Sequence, residues 1–303
     1  MSVYYSAAKI NLFLQVEGIL PNGYHELTSV MQSVSLFDRV EVLFGQEDYA
    51  LDCGGLDLGP AEKNIVTRMW RLLKDRYDLP QEVHITLKKQ IPVGAGLAGG
   101  SGNGAAVLRA VIDHFDLAPS KEEIVEIAAK IGADVAFCYF GGTMLATGIG
   151  EKLKKLPAMP HWDLLLFNGG FHVSTPEMFR AYDDIALGVE KVPVDMMVHA
   201  LEKGSKDGIL YSLYNGLEKV TYPRYAHLRR LSDRLDELFL PHLMSGSGPT
   251  VFALAEPKVA KNLLKNPEKE LGKDFGKVYH AVPLGQGVFS EQEYAAWVKN
   301  YNA

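Results

Sequence analysis

Gly94-Ala95-Gly96-Leu97-Ala98-Gly99-Gly100-Ser101-Gly102-Asn103-Gly104 places six glycines in eleven residues. Ahead of it, Val83, Ile85 and Leu87 alternate with His84, Thr86 and Lys88, the period of a half-buried strand. Behind it, Leu108, Val111, Ile112 and Phe115 mark one face of a helix. A tight turn needs only one or two glycines. A run this dense lets backbone approach a ligand and turns N–H groups inward. The helix N-terminus adds the positive end of its dipole, so the stretch reads as an anion site, most simply a phosphate site. Gly99 is expected at the closest approach, with φ above zero.

Three other phosphate loops are excluded by context. Gly94-x-Gly96-x-x-Gly99 matches the dinucleotide fingerprint, but that fingerprint needs a βαβ unit with an acid ending the next strand. Here the helix ends near Phe115 and a second helix follows, opened by a capping box with Ser120 as N-cap and Glu123 at N3. Ile124, Ile127, Ala128 and Ile131 form its apolar face, and Gly132 stops it. No Lys-Ser/Thr closes the loop as in a Walker A motif, and the H-R-D and D-F-G segments of protein kinases are missing.

Further out, residues 9–17 and 34–44 read as strands around a Pro21-Asn22-Gly23 turn, and residues 63–77 have helical spacing. The chain changes character around 155–162, where two prolines precede a strand from Trp162 to Phe167. Beyond lie a helix opened by Ser174-Thr175-Pro176-Glu177, helical patterns over 195–203 and 224–239, and a second glycine turn, Ser245-Gly246-Ser247-Gly248-Pro249. A strand from Thr250 to Leu254 follows that turn. Lysines at 258, 261, 265, 269, 273 and 277 are interrupted by Pro267, Gly272 and Gly276 and read as a solvated face. The expected organisation is one lobe over 1–155, a second over 156–289, and a tail over 290–303 that docks as a helix.

Composition bounds the function. Of 303 residues, 47% are hydrophobic and 22% charged, which excludes general disorder. The net charge of −6 argues against nucleic acid or an anionic membrane as partner. Cys53 and Cys138 fit no C-x-x-C spacing, and the nine histidines contain no H-E-x-x-H zinc motif. The N-terminus lacks a signal-peptide pattern, and no apolar run approaches ~18 residues. The expectation is a soluble cytoplasmic enzyme or small-molecule binder.

Pro92-x-x-x-Gly96-Leu97-Ala98-Gly99-Gly100-Ser101-x-Asn103 resembles the phosphate loop of the GHMP kinases, which include galactokinase, homoserine kinase and mevalonate kinase. Three further segments resemble one branch, the 4-diphosphocytidyl-2-C-methyl-D-erythritol kinases. The first is Ala8-Lys9-Ile10-Asn11-Leu12-Phe13-Leu14 with Gly23-Tyr24-His25-Glu26-Leu27. The second is Gly132-Ala133-Asp134-Val135-Ala136-Phe137, followed by Gly141-Gly142-Thr143 and Gly148-Ile149-Gly150-Glu151. The third is Met244-Ser245-Gly246-Ser247-Gly248-Pro249-Thr250-Val251-Phe252. The likeness runs from about Tyr5 to about Leu284. Departures are Leu20 at a usually basic site, Gly102 and Gly104 where Ser or Ala is commoner, and Gly216 replacing the acid of an Asn-Asp-Leu-Glu segment.

The resemblance implies an α+β, two-lobed fold, with an N-terminal lobe like ribosomal protein S5 domain 2 and a ferredoxin-like C-terminal lobe. It also implies phosphoryl transfer from ATP, with Mg²⁺, to the 2-hydroxyl of the cytidyl substrate. An alcohol is a poor nucleophile, so the chemistry asks for a carboxylate within reach and a cation near the transferring group. Asp134 resembles the family's base. Lys9 resembles its partner, an ammonium that stabilises developing negative charge. Nucleotide contacts map to Asn64, Lys89, Pro92, Gly94, Gly96, Leu97, Ala98, Gly99, Gly100, Ser101, Gly102 and Asn103. Ser101 is the candidate oxygen for the metal, with no firm ligand assigned. Asn11 shares a strand face with Lys9 and is placed to bond the substrate. His25 is expected to read the cytosine edge through its backbone or ring, and Tyr24 and Phe179 to stack on the base. Two alternatives remain open at this level: another GHMP small-molecule kinase, of homoserine or mevalonate type, and a non-catalytic nucleotide-binding paralogue.

Overall fold

The computed structural model describes residues 1–272 and 275–301, so Lys273 of the lysine series and Asn302 and Ala303 of the tail lie outside it. Among the described residues the strands form two sheets, one of eight strands and one of four. The large sheet is built on strand Ser2–Ile19, antiparallel to His25–Gln46 in a register from Ser2↔Val42 to Ile19↔His25. Glu82–Lys88 pairs with the second half of His25–Gln46, and Thr143–Gly148 with its first half.

Both strands run beyond the stretches expected from alternation. The reason is two-sided burial, which hides the period of two. On Ser2–Ile19, Ala8, Ile10 and Leu12 enter a core shared with Trp162 and Leu164, whereas Lys9 and Asn11 line a cleft. The smaller sheet runs Lys277–Ala281, Asp163–Asn168, Val251–Ala255, His242–Met244, all antiparallel. Leu164 and Leu166 pack with Ala8, Ile10 and Leu12, while Leu165 and Phe167 pack with Leu231 and Leu235 of helix Ala226–Glu237. That explains the unbroken apolar run in the strand.

Helices Ile65–Tyr77, Gly99–His114, Lys121–Ala129 and Val135–Phe140 cover the large sheet, with Met69, Trp70, Leu73, Val107, Leu108 and Val111 buried. Each large apolar side chain buried there contributes ~1.5–3 kcal/mol. The capping box at Ser120 is half made. Ser120 Oγ accepts from Glu123 N at 3.1 Å, but the Glu123 carboxylate accepts from Arg76 Nε at 3.0 Å and Tyr77 OH at 2.9 Å.

Two later segments return to the large sheet. Tyr214–Asn215 pairs in parallel with Phe13–Leu14, and Val288–Ser290 pairs with Tyr4–Ser6. Helix Glu291–Tyr301 follows and docks through Tyr294, whose ring stacks on Tyr5 with centroids 3.7 Å apart. No helix among the described residues is long and apolar enough to cross a membrane. Cys53 and Cys138 are free thiols.

Candidate active site

A cleft of about 790 Å³ lies where the glycine loop, the first strand, the second glycine turn and helix Thr175–Asp183 converge. The loop descends from strand Glu82–Lys88 into helix Gly99–His114. Gly94 and Gly96 take left-handed backbone, with φ of 66° and 75°, and so does Ala98 at 55°. Gly99 is already helical, so the positive φ expected there falls on its predecessors.

The two glycine turns lie back to back. Ser245 Oγ donates to Gly96 O at 2.9 Å, and a Cβ on Gly96 would stand 2.1 Å from Ser245 O. Only glycine permits this approach. Lys9 N donates to Leu97 O at 3.1 Å and ties the loop to the first strand. Asn215 Nδ2 donates to Met244 O and Gly246 O at 2.7 and 2.8 Å, and Glu218 accepts from Met244 N at 2.7 Å. Burial pushes the Glu218 carboxyl up to about 6. Asn215 and Glu218 carry no assigned role in the sequence reading, although both lie in the Asn-x-Leu-Glu segment quoted above.

Lys9 and Asp134 meet at this junction, Nζ to Oδ2 4.0 Å. Lys9 is held from the other side, donating to Asn11 Oδ1 at 2.7 Å, while Asn11 Nδ2 donates to Ser29 Oγ at 2.8 Å. The lysine side chain is 6% exposed and the aspartate 37%. Asp134 stands at the N-cap of helix Val135–Phe140, yet its φ and ψ are −80° and −9° and its side chain makes no capping bond. Its carboxylate therefore faces the cleft beside a fixed ammonium, uncommitted to the helix end.

Of the mapped nucleotide contacts, Asn64, Lys89, Pro92, Gly94, Gly96, Ala98, Gly99, Gly100, Ser101 and Asn103 line the cleft. Asn64 is also the N-cap of helix Ile65–Tyr77, accepting from Val66 N at 3.0 Å. Leu97 and Gly102 face elsewhere, the first into the core and the second against Ser6. Gly104 has a packing reason, since a Cβ there would meet Ile65 Cγ2 at 2.6 Å where the two helices cross. Lys89 is anchored from below by Asp38, a fully buried carboxylate missed in the sequence. Asp38 Oδ1 accepts from Gln90 N and Ile91 N at 2.7 and 2.9 Å. Its Oδ2 takes Asn103 Nδ2 at 3.0 Å together with the Lys89 ammonium. An isolated Asp in a strand pattern gives no local signal of such a role.

At the other end of the cleft, Phe179 lines the wall, and the ring of His25, itself behind the cleft lining, stacks on it with centroids 4.7 Å apart. Tyr24 sits at the hairpin tip, 61% exposed, outside the cleft lining, so Tyr24 and Phe179 are not brought together. Asn11 lines the cleft as its strand position implies.

The GHMP kinases N terminal domain family matches residues 64–142, and the GHMP kinases C terminal family matches residues 197–273. Fold, glycine loop and cleft thus define a GHMP kinase. The same fold appears in a solved homoserine kinase from Cytophaga hutchinsonii, with TM-score 0.76 at 17% identity over 95% of this chain and 96% of that one. Sequence separates the branches that the fold does not. The 4-diphosphocytidyl-2-C-methyl-D-erythritol kinase of Clostridium acetobutylicum is 36% identical over 270 residues, 88% of this chain and 96% of that protein. A crystal structure of a 4-(cytidine 5'-diphospho)-2C-methyl-D-erythritol kinase matches with TM-score 0.75 at 30% identity, over 94% of this chain and all of the other. The chain belongs to the 4-diphosphocytidyl-2-C-methyl-D-erythritol kinase family, and it is a kinase.

Proposed function

We propose that this kinase transfers the γ-phosphoryl group of ATP to the 2-hydroxyl of 4-diphosphocytidyl-2-C-methyl-D-erythritol, a step of non-mevalonate isoprenoid precursor synthesis in the cytoplasm. The lobe over 1–155 holds ATP, and the lobe over 156–289 closes the cytidyl end. The observation that carries the reading is the uncapping, cleft-facing Asp134 carboxylate 4.0 Å from the buried Lys9 ammonium, beside the glycine-loop helix.

The first turn of helix Gly99–His114 offers N–H groups and a positive dipole end to the phosphates. Asp134 takes the proton of the substrate hydroxyl as its oxygen forms the bond to the γ-phosphorus and the bond to ADP breaks. Lys9, which Asn11 holds in place, meets the charge that develops at the junction. Mg²⁺, when bound, would supply charge neutralisation at the phosphates. Ser101 supplies the protein oxygen that fits it, a cleft hydroxyl without a hydrogen-bond partner among the described residues.

ATP consumption tests the reading, measured with the cytidyl substrate, methylerythritol 4-phosphate, homoserine and mevalonate. Binding energy at the cytidine end positions the distant hydroxyl, so its removal costs rate as well as affinity. The expected kcat/KM on methylerythritol 4-phosphate is lower by at least ~10³-fold, about 4 kcal/mol. Comparable efficiency on homoserine or mevalonate would refute the substrate assignment.

A further inference from the structure

His25 is gripped from two sides by one helix. Phe179 covers its ring face, with centroids 4.7 Å apart, and Asp183 bonds its edge, Nε2 to Oδ1 2.8 Å. Phe179 and Asp183 are four residues apart in helix Thr175–Asp183, one turn, and so share a face. The imidazole is 13% exposed and the carboxylate 30%. Asp183 does nothing for its own helix. It is the last helical residue, next to Asp184, where negative charge opposes the dipole.

We propose that Asp183 is a positioning residue that sets base specificity by fixing the tautomer of His25. A carboxylate only accepts, so Nε2 of the neutral ring carries the proton. Nδ1 is then left as a lone-pair acceptor, and it has no hydrogen-bond partner among the described residues. An acceptor beside Phe179 suits a base with an exocyclic amino donor, which is cytosine. It repels the carbonyl that uracil carries at the same position. Without Asp183 the proton is free to sit on either nitrogen, and the ring can serve both bases.

The inference rests on the cytidyl reading above, and its test separates the two. Asp183→Ala and Asp183→Asn are compared with wild type for kcat and KM on the cytidyl substrate and its uridyl counterpart, for KM of ATP, and for calorimetric binding of CDP and UDP. Asp183→Ala is expected to raise KM for the cytidyl substrate about tenfold and to shrink the cytidyl-over-uridyl preference about tenfold, with kcat and the KM of ATP within about twofold. Asp183→Asn, which keeps an acceptor oxygen toward Nε2, should retain most of the preference. If Asp183→Ala weakens both bases equally, the residue only anchors the hairpin and the proposal fails. It also fails if the preference does not change, or if the wild type binds CDP and UDP alike. A wild type that prefers CDP but transfers no phosphate to the cytidyl substrate overturns the function above and leaves this inference standing.

Discussion

Replacing Gly96 by alanine tests whether contact between the two glycine turns builds the active site. The added Cβ would stand 2.1 Å from Ser245 O, 3.1 Å from Ser245 C and 3.2 Å from Gly248 O. All three are backbone atoms, and Ser245 O is pinned by Gly248 N at 3.0 Å. Restoring ordinary contact separates loop and turn by about 1 Å, the scale at which misplacement costs on the order of 10²-fold in rate. Stability falls for two reasons. The φ of +75° strains alanine by roughly 1–2 kcal/mol, and overpacking adds roughly 1–3 kcal/mol. Gly204 isolates the first term, since its φ is +61° with open space around it. Urea unfolding and steady-state kinetics of Gly96→Ala and Gly204→Ala are the assay. Both should lose the strain energy, but only Gly96→Ala should lose about 10²-fold in kcat/KM. A Gly96→Ala enzyme with wild-type kcat/KM would refute the reasoning.

Asp134→Asn keeps size and polarity but cannot take the proton. Its single-turnover rate should fall on the order of 10²–10⁴-fold with nucleotide affinity nearly unchanged, and a near wild-type rate removes it as base. Lys89→Met strands the fully buried Asp38 carboxylate, which should cost about 3–5 kcal/mol in urea unfolding. The Asp38→Asn, Lys89→Met double variant should recover most of that loss; additive losses would contradict the pairing. Glu218 titrates at about 6 in the fold against its usual 4.5, so the native state binds the proton more tightly than the unfolded chain. Its stabilising contribution, on the order of 2 kcal/mol, is full below pH 4.5 and lost as pH rises through about 6. Glu218→Gln should flatten stability across that window, and an unchanged slope would count against the burial argument.

What the sequence by itself determined is what short spacing encodes. Glycine density between a strand and a helix marked the loop that lines the cleft and is proposed to hold phosphate, because a local run sets how closely backbone can approach a ligand. The two-residue step from Lys9 to Asn11 put both side chains on one strand face, and both line the cleft. Motif matching singled out Asp134, but its freedom from capping is a matter of backbone angles that spacing does not carry. Alternation undercounted the first two strands, because a strand covered on both faces has no polar side to reveal its period. Tertiary structure alone decided the rest: that Asp38 lies under Lys89, that Ser245 meets Gly96 across 149 residues, and that Asp183 holds His25 across 158. Periodicity tells which face of an element is buried. What lies opposite that face depends on how distant segments close on one another, and hydrogen bonds set by that closure leave no repeat in the chain to read.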